Sequence, residues 1–369
     1  MKNNWYYIED IDRLDSPALT VHPDRIQNNI DTMISMVKDP SRLQPHVKTY
    51  KMSEIVKMQM KSGINKFKCA TIAEAEMLAI SGANDVLLAY QPVGPKIDRL
   101  IELVKKYQET QFSILLDDER IATEIAEKCK KNLVLLYVYI DINNGNNRTG
   151  LPADNAFYLF KKCIELKGIQ PLGLHIYDGH IRDSDPEMRK KHCDNDFQKV
   201  AALSDYIELK LDINPITIAG GSPTFQIHAN RENVICSPGT SLLWDAGYSE
   251  IFSDIPFQPA AIVITRIISK PAPGILCLDL GHKSIAGENP IQNRVRFLNV
   301  TGFNPISHSE EHLVVENKDN ISFSVGDVIY GIPYHICPTI ALYNEVTVIR
   351  NHKISDSWQI IARGRKITI

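Results

Sequence analysis

What the sequence lacks narrows the field first. No stretch approaches the ~18 consecutive apolar residues that a transmembrane helix needs, and the apolar run at 133–140 is only strand-length. Residues 1–15 mix acids with aromatics and hold no apolar centre of the kind a secretory signal requires, so a cytoplasmic setting is expected. The seven cysteines are odd in number, irregularly spaced and without a CxxC pair. They form no disulfide framework and suit a reducing compartment. Positive charge is not in surplus. Lys and Arg number 41 against 44 Asp and Glu, a net charge of −3, which argues against a nucleic-acid partner. No run of like charge marks a tail, and basic spots at 128–131 and 189–191 read as solvated helix faces. There are no internal repeats at 20–50 residues, no low-complexity segments, and no GxGxxG after the first expected strand to support a Rossmann sheet.

What is present has a clear rhythm. At 369 residues the chain exceeds what one ordinary core organises, so two domains are expected. Apolar runs at 18–21, 44–48, 67–70, 86–89, 112–116, 133–142, 172–177 and 216–219 read as strands. Between them, 24–37, 53–62, 72–81, 96–107, 119–130 and 155–166 carry helical spacing. Eight strands alternating with helices imply a parallel sheet, and their number fits a (β/α)8 TIM-type barrel over 16–257. After 258 the texture changes to β-like runs broken by Gly, Pro, Asn and Asp. That predicts a C-terminal antiparallel β domain over 258–369, joined by residues 1–15 through a possible extra strand at 5–8.

Four constellations carry chemistry. Pro45-His46-Val47-Lys48-Thr49 places Lys48 at the end of the second expected strand, and functional groups of barrels sit at the C-terminal ends of strands. An amine at the rim of a buried sheet is a candidate nucleophile for an aldehyde. A solvent-facing lysine is the bland alternative, and Lys51 is a rival farther into the loop. Next, Gly220-Gly221-Ser222 follows the eighth expected strand, and Pro238-Gly239-Thr240 comes soon after. Glycines expose backbone N–H groups to an anion, and barrels hold phosphates after their last two strands; each segment alone would pass for an ordinary turn. Third, His335-Ile336-Cys337 puts an imidazole and a thiolate on one face if this is a strand, a pair that suits zinc. A core cysteine beside a hydrogen-bonded histidine is the alternative. Fourth, His175 and Tyr177 share a face at the end of the seventh expected strand, where they could meet a planar ligand. Asp141 ends the sixth, and Arg148 in the loop after it could meet a carboxylate or a pyridine nitrogen.

These segments, with Tyr177-Asp178-Gly179-His180, Asp279-Leu280-Gly281-His282-Lys283 and His335-Ile336-Cys337-Pro338-Thr339, run in one order along nearly the whole chain. In that order they resemble the D-serine dehydratase and D-threonine aldolase family, pyridoxal-phosphate enzymes of the alanine-racemase fold type. The resemblance implies that Lys48 carries the cofactor as a Schiff base. It implies that Gly220, Gly221, Ser222, Gly239 and Thr240 hold the phosphate and that Arg148, His175 and Tyr177 lie near the ring. It also implies that His335 and Cys337 bind a divalent metal, zinc by thiolate softness, with Mn or another divalent cation as the alternative.

The activity implied is a pyridoxal-phosphate- and metal-dependent lyase for D-β-hydroxy amino acids. β-Elimination of D-serine or D-threonine to a 2-oxo acid and ammonia is expected. The alternative is D-threonine aldolase cleavage to glycine and acetaldehyde. Racemisation and a non-catalytic carrier of the cofactor are more remote, and residues 258–369 argue against the carrier. The fold type also implies a homodimer and a small-molecule substrate.

Overall fold

The computed structural model describes residues 4–319 and 321–369. It divides into two compact units. One comprises the chain up to Ile30 with Thr240–Ile360, the other Asp31–Gly239 with Ile361–Ile369.

The first strand, β1 (Ala18–Val21), corrects an expectation. It does not open the barrel but lies in the sheet of the first unit. The barrel is built from β2 (Lys66–Cys69), β3 (Asp85–Leu88), β4 (Gln111–Leu116), β5 (Leu136–Ile142), β6 (Ile169–Ile176), β7 (Ile216–Ala219) and β8 (Val234–Cys236), parallel and paired in that order. The cylinder is closed by segment 43–46. Leu43 bridges Cys236 and His46 bridges Lys68, both in parallel. Gln44 N–H donates to Cys236 O at 2.9 Å, and Lys68 N–H donates to Pro45 O at 2.9 Å. The (β/α)8 barrel is therefore present with one exchange: β8 replaces β1 in the set of staves. Segment 43–46 is stave one, β6 stave six, β7 stave seven and β8 stave eight. A four-residue apolar strand cannot disclose which sheet it joins, because both sheets offer it the same burial.

The helices return the chain between staves, with local reasons for their ends. Glu119–Lys131 starts where Asp118 accepts from Ile121 N–H at 2.9 Å and buries Ile121, Ala122, Ile125, Ala126 and Cys129 on one stripe. Its last turn carries Lys128, Lys130 and Lys131, which complement the helix dipole. A helix that the spacing did not disclose runs over Pro186–Leu211, capped by Asp185, and its Arg189 is buried, not solvated. Inside the barrel Leu87, Leu115, Tyr139 and Ile218 pack together. The C-terminal residues Thr368 and Ile369 donate backbone N–H groups to Glu76 of the barrel helix Ile72–Ile80, at 3.0 and 3.2 Å.

In the other unit β9 (Ala261–Ala272), β10 (Ile275–Leu278), β11 (Val295–Phe297), β12 (Phe303–His308), β13 (Leu313–Asn317), β14 (Val328–Pro333), β15 (Glu345–Arg350) and β16 (Lys353–Gln359) form a mostly antiparallel sheet with β1. β1 sits between β9, antiparallel, and β15, parallel. Residues 5–8 are not a strand. Tyr6 and Ile8 instead pack into the apolar cluster of Ile262, Ile264, Tyr330, Ile332 and Ile349. All seven cysteines are free, and no helix among the described residues is long and apolar enough to cross a membrane.

Candidate functional site

Lys48 lies one step beyond the strand end expected of it. Stave one stops at His46, and Val47–Thr49 coils into a single 3-10 turn. His46 caps that turn: its Nδ1 accepts from Lys48 N–H at 3.2 Å. Burial, and then the charge of Lys48, hold the His46 imidazole well below its ordinary pKa, so it stays a neutral acceptor. The turn leaves the Lys48 side chain half-buried, with Nζ 5.7 Å from the centroid of the Tyr177 ring. The rival Lys51 is engaged elsewhere, in an ion pair with the buried carboxylate of Glu74.

Tyr177 follows the end of β6. The guanidinium of Arg148, from the exposed loop after β5, lies 4.7 Å over its ring, a cation–π contact. The glycine loops fall after staves seven and eight, where barrels hold phosphates. Gly220 adopts φ +87°, a conformation that favours glycine. A Cβ on Gly221 would lie 3.0 Å from Tyr177 Cε2, so the backbone sits flush against the ring edge. Gly239 N–H donates to Ser222 Oγ at 3.2 Å, tying the two loops together.

A buried network anchors the first loop. Asp178 Oδ1 accepts from the Thr224 hydroxyl at 2.8 Å, and Asp178 Oδ2 accepts from His228 Nε2 at 2.7 Å. Arg231 donates to His228 Nδ1 at 2.5 Å, which places the imidazole proton on Nε2. Cys193 adds a histidine–cysteine–aspartate convergence here. Every member is already hydrogen-bonded and Arg231 brings a cation to it, so the cluster reads as a positioning network and not as a metal centre.

His175 is placed differently from Tyr177. It is 4% exposed, and both ring nitrogens are engaged: Nδ1 with Asp141 at 2.7 Å and Nε2 with Lys68 Nζ at 3.3 Å. It therefore offers no free nitrogen to a ligand. Lys68, on β2, was not anticipated. It is 2% exposed, and burial, followed by the charge of Lys48, brings its ammonium pKa down to about 7. The signal was there in Lys66-Phe67-Lys68-Cys69, a lysine inside a short strand whose last three residues are buried.

In the β unit His335 and Cys337 do come together, but not as residues of a strand. β14 ends at Pro333; His335 is the N-cap of the short helix Ile336–Ile340, and Cys337 lies in its first turn. Pro338 fits there because the first turn leaves its N–H groups unpaired in any case. Burial would lower the His335 pKa, but its hydrogen bond to Cys337 and the nearby carboxylates outweigh that and raise it to about 9. His335 Nδ1 lies 2.5 Å from Glu288 Oε1, and Thr240 Oγ1 lies 3.5 Å from Cys337 Sγ. Thr240, expected to bind phosphate, thus lies against the thiol. Glu288 was not legible as a partner because it is 47 residues away.

A parallel barrel whose strand ends gather a lysine, a tyrosine under an arginine and two joined glycine loops, in a chain that also carries an antiparallel-rich unit, is an enzyme scaffold of the alanine-racemase type. The chain matches the family described as alanine racemase, N-terminal domain, over residues 21–246, and a putative serine dehydratase domain over residues 260–349. It is 23% identical to a D-threonine aldolase of Arthrobacter sp. over 95% of this chain and 93% of that protein. The crystal structure of a D-threonine aldolase from Filomicrobium marinum superposes with a TM-score of 0.87 at 25% identity, covering 97% of this chain and 98% of that one. A mutant D-threo-3-hydroxyaspartate dehydratase, described as a metal-free form, shares the fold with a TM-score of 0.80 at 20% identity, covering 94% and 97% of the two chains. The chain belongs to the D-serine dehydratase and D-threonine aldolase family of pyridoxal-phosphate enzymes with the alanine-racemase fold.

Proposed function

We propose that this protein is a pyridoxal-phosphate-dependent lyase of D-β-hydroxy amino acids and that it eliminates the β-hydroxyl, converting D-serine or D-threonine to a 2-oxo acid and ammonia. The observation that carries the reading is the position of Lys48. Its amine stands beside Tyr177 and Arg148, and the glycine loops after staves seven and eight lie in the same unit, with Gly221 against that tyrosine. These residues fit the cofactor. Lys48 would hold its aldehyde carbon, Tyr177 would meet its ring, and Gly220, Gly221, Ser222 and Gly239 would take the phosphate. When bound, pyridoxal phosphate supplies an electron sink for charge that develops at the substrate α-carbon. Lys48 Nζ is the amine placed to serve as general base for the substrate α-proton. His335 and Cys337 would hold a divalent ion, zinc by thiolate softness, which would supply Lewis acidity for the departing hydroxyl. Glu288 orients the His335 ring through Nδ1.

The aldolase reading keeps the same residues and breaks Cα–Cβ instead. The two aldolases named above favour it. A product assay decides. D-serine, D-threonine and D-threo-3-hydroxyaspartate are offered in turn, with pyruvate, 2-oxobutyrate, oxaloacetate and glycine measured. Elimination predicts 2-oxo acids and ammonia without glycine; stoichiometric glycine overturns it in favour of the aldolase. Lys48→Ala is expected to lose both turnover and the visible Schiff-base band, and a variant that keeps the band shows that another lysine carries the cofactor.

A further inference from the structure

Lysine is out of place in the layer of side chains beneath a barrel mouth, where bulky apolar groups are the rule. Lys68 sits in that layer. It pairs in register with Leu87 of the barrel's apolar interior and bridges His46, two residues before Lys48. On the far side, Asp141 and His175 face one another across β5 and β6, and His175 lies two residues before Tyr177. Asp141, His175 and Lys68 therefore form a buried row one residue pair below Lys48 and Tyr177.

The row has a direction. Asp141 accepts from His175 Nδ1, so the neutral imidazole presents its Nε2 lone pair to Lys68, which donates. The partner of this buried amine is thus an uncharged imidazole and not a carboxylate, a setting that disfavours an ammonium. The charged groups that reach it are Lys48 from stave one, Asp141 and Arg148 from β5 and its loop, and Asp178 from the end of β6, and the neutral imidazoles of His46 and His175 also face it.

We propose that Lys68 is a charge-compensating residue: its buried amine, set against an uncharged imidazole, takes up a proton from solvent when anionic pyridoxal phosphate binds at the barrel mouth. This rests on the cofactor reading above. An anion arriving over the layer favours the ammonium. The proton enters the Nζ lone pair, and the ammonium keeps its bond to His175 Nε2. Asp141 holds the histidine in the tautomer that can accept it. Lys68 acts on the bound anion through charge, so it is a positioning residue.

The test is the proton inventory of cofactor binding. Full-length protein freed of cofactor is titrated with pyridoxal phosphate by calorimetry in buffers of different ionisation enthalpy. With Lys68 at about 7 in the free protein, its own uptake is about 0.9 proton at pH 8 and about 0.1 at pH 6. Wild type is expected to exceed Lys68→Met by those amounts. Lys68→Arg, permanently charged, is expected to bind with no such excess. Equal uptake in wild type and Lys68→Met overturns the inference. So does wild-type uptake that is the same at pH 6 and pH 8, a result that needs no variant to fold. A wild type that forms no Schiff-base band overturns the cofactor reading and this inference with it, and is told apart by the missing band.

Discussion

Replacing Asp178 separates the support of the first glycine loop from its chemistry. The carboxylate is 2% exposed and receives the Thr224 hydroxyl on one oxygen and His228 Nε2 on the other. In Asp178→Ala both donors lose their partner in a dry interior. Two buried donors left unpaired, one of them to a charged acceptor, cost about 3–5 kcal/mol. Asp178→Asn is gentler. Its carbonyl can face His228, which Arg231 keeps as a donor at Nε2, while its amide faces Thr224, whose hydroxyl can turn to accept. That variant loses only the charge assistance, about 1–2 kcal/mol. At ~2–4 °C per kcal/mol for a unit of this size, the alanine variant should melt on the order of 10 °C below wild type, with asparagine in between.

The pH dependence has a definite sign. Burial would raise the Asp178 pKa, but the electrostatic pull of His228 and the hydrogen bonds from His228 and Thr224 leave it below the ordinary value. A depressed carboxylate contributes stability that is present above the unfolded pKa of ~3.9 and lost as pH falls through the folded value. The gap between wild type and Asp178→Asn should therefore narrow below about pH 4. Thermal melts of the three proteins from pH 7 down to pH 3 read both effects. Equal losses for asparagine and alanine, or a gap that does not change on acidification, would refute the assignment of Asp178 as an ionised, doubly bonded anchor.

Two other outcomes bear on the site. Gly221→Val forces a side chain against Tyr177, whose Cε2 would lie 3.0 Å from even the first added carbon; the fold should survive, with pyridoxal phosphate bound at least ~10-fold more weakly, a 1.4 kcal/mol loss, by fluorescence titration. Cys337→Ser should lower bound zinc from about one per chain to near zero by elemental analysis while the Schiff-base band remains, because a hydroxyl is a poor ligand for zinc. Retention of zinc at full occupancy would remove Cys337 from the metal set.

The sequence made some of this plain and hid the rest for physical reasons. Helices such as 119–130 and 96–107 were legible because their apolar stripes are strong and their ends carry capping or breaking residues, and the structure has them at Glu119–Lys131 and Pro95–Lys106. β7 was read over 216–219, the same residues the structure assigns. The exchange of β1 for β8 was not legible, because pairing partners are a tertiary choice. β8 is only three residues long, too short for any period to register. Lys48, Tyr177 and the glycine loops could be singled out because they sit at or just past strand ends, where barrel chemistry collects. His175 was assigned to the same face as Tyr177, but parity along a strand does not measure depth, and one residue pair deeper the partners are Asp141 and Lys68. The His335–Cys337 pair survived a wrong local structure, since a strand and a helix entry both bring those two side chains within reach of each other.

The stave that bears Lys48 is attached to its neighbours by isolated bridges at Leu43 and His46, whereas the other neighbours share ladders of three to seven paired residues. The weakest join of the ring is thus also the one beside Lys48. On the proposed reading, a cofactor held by that lysine and by the loops of the last two staves would span the join like a clasp, so that filling the site would also stiffen the cylinder.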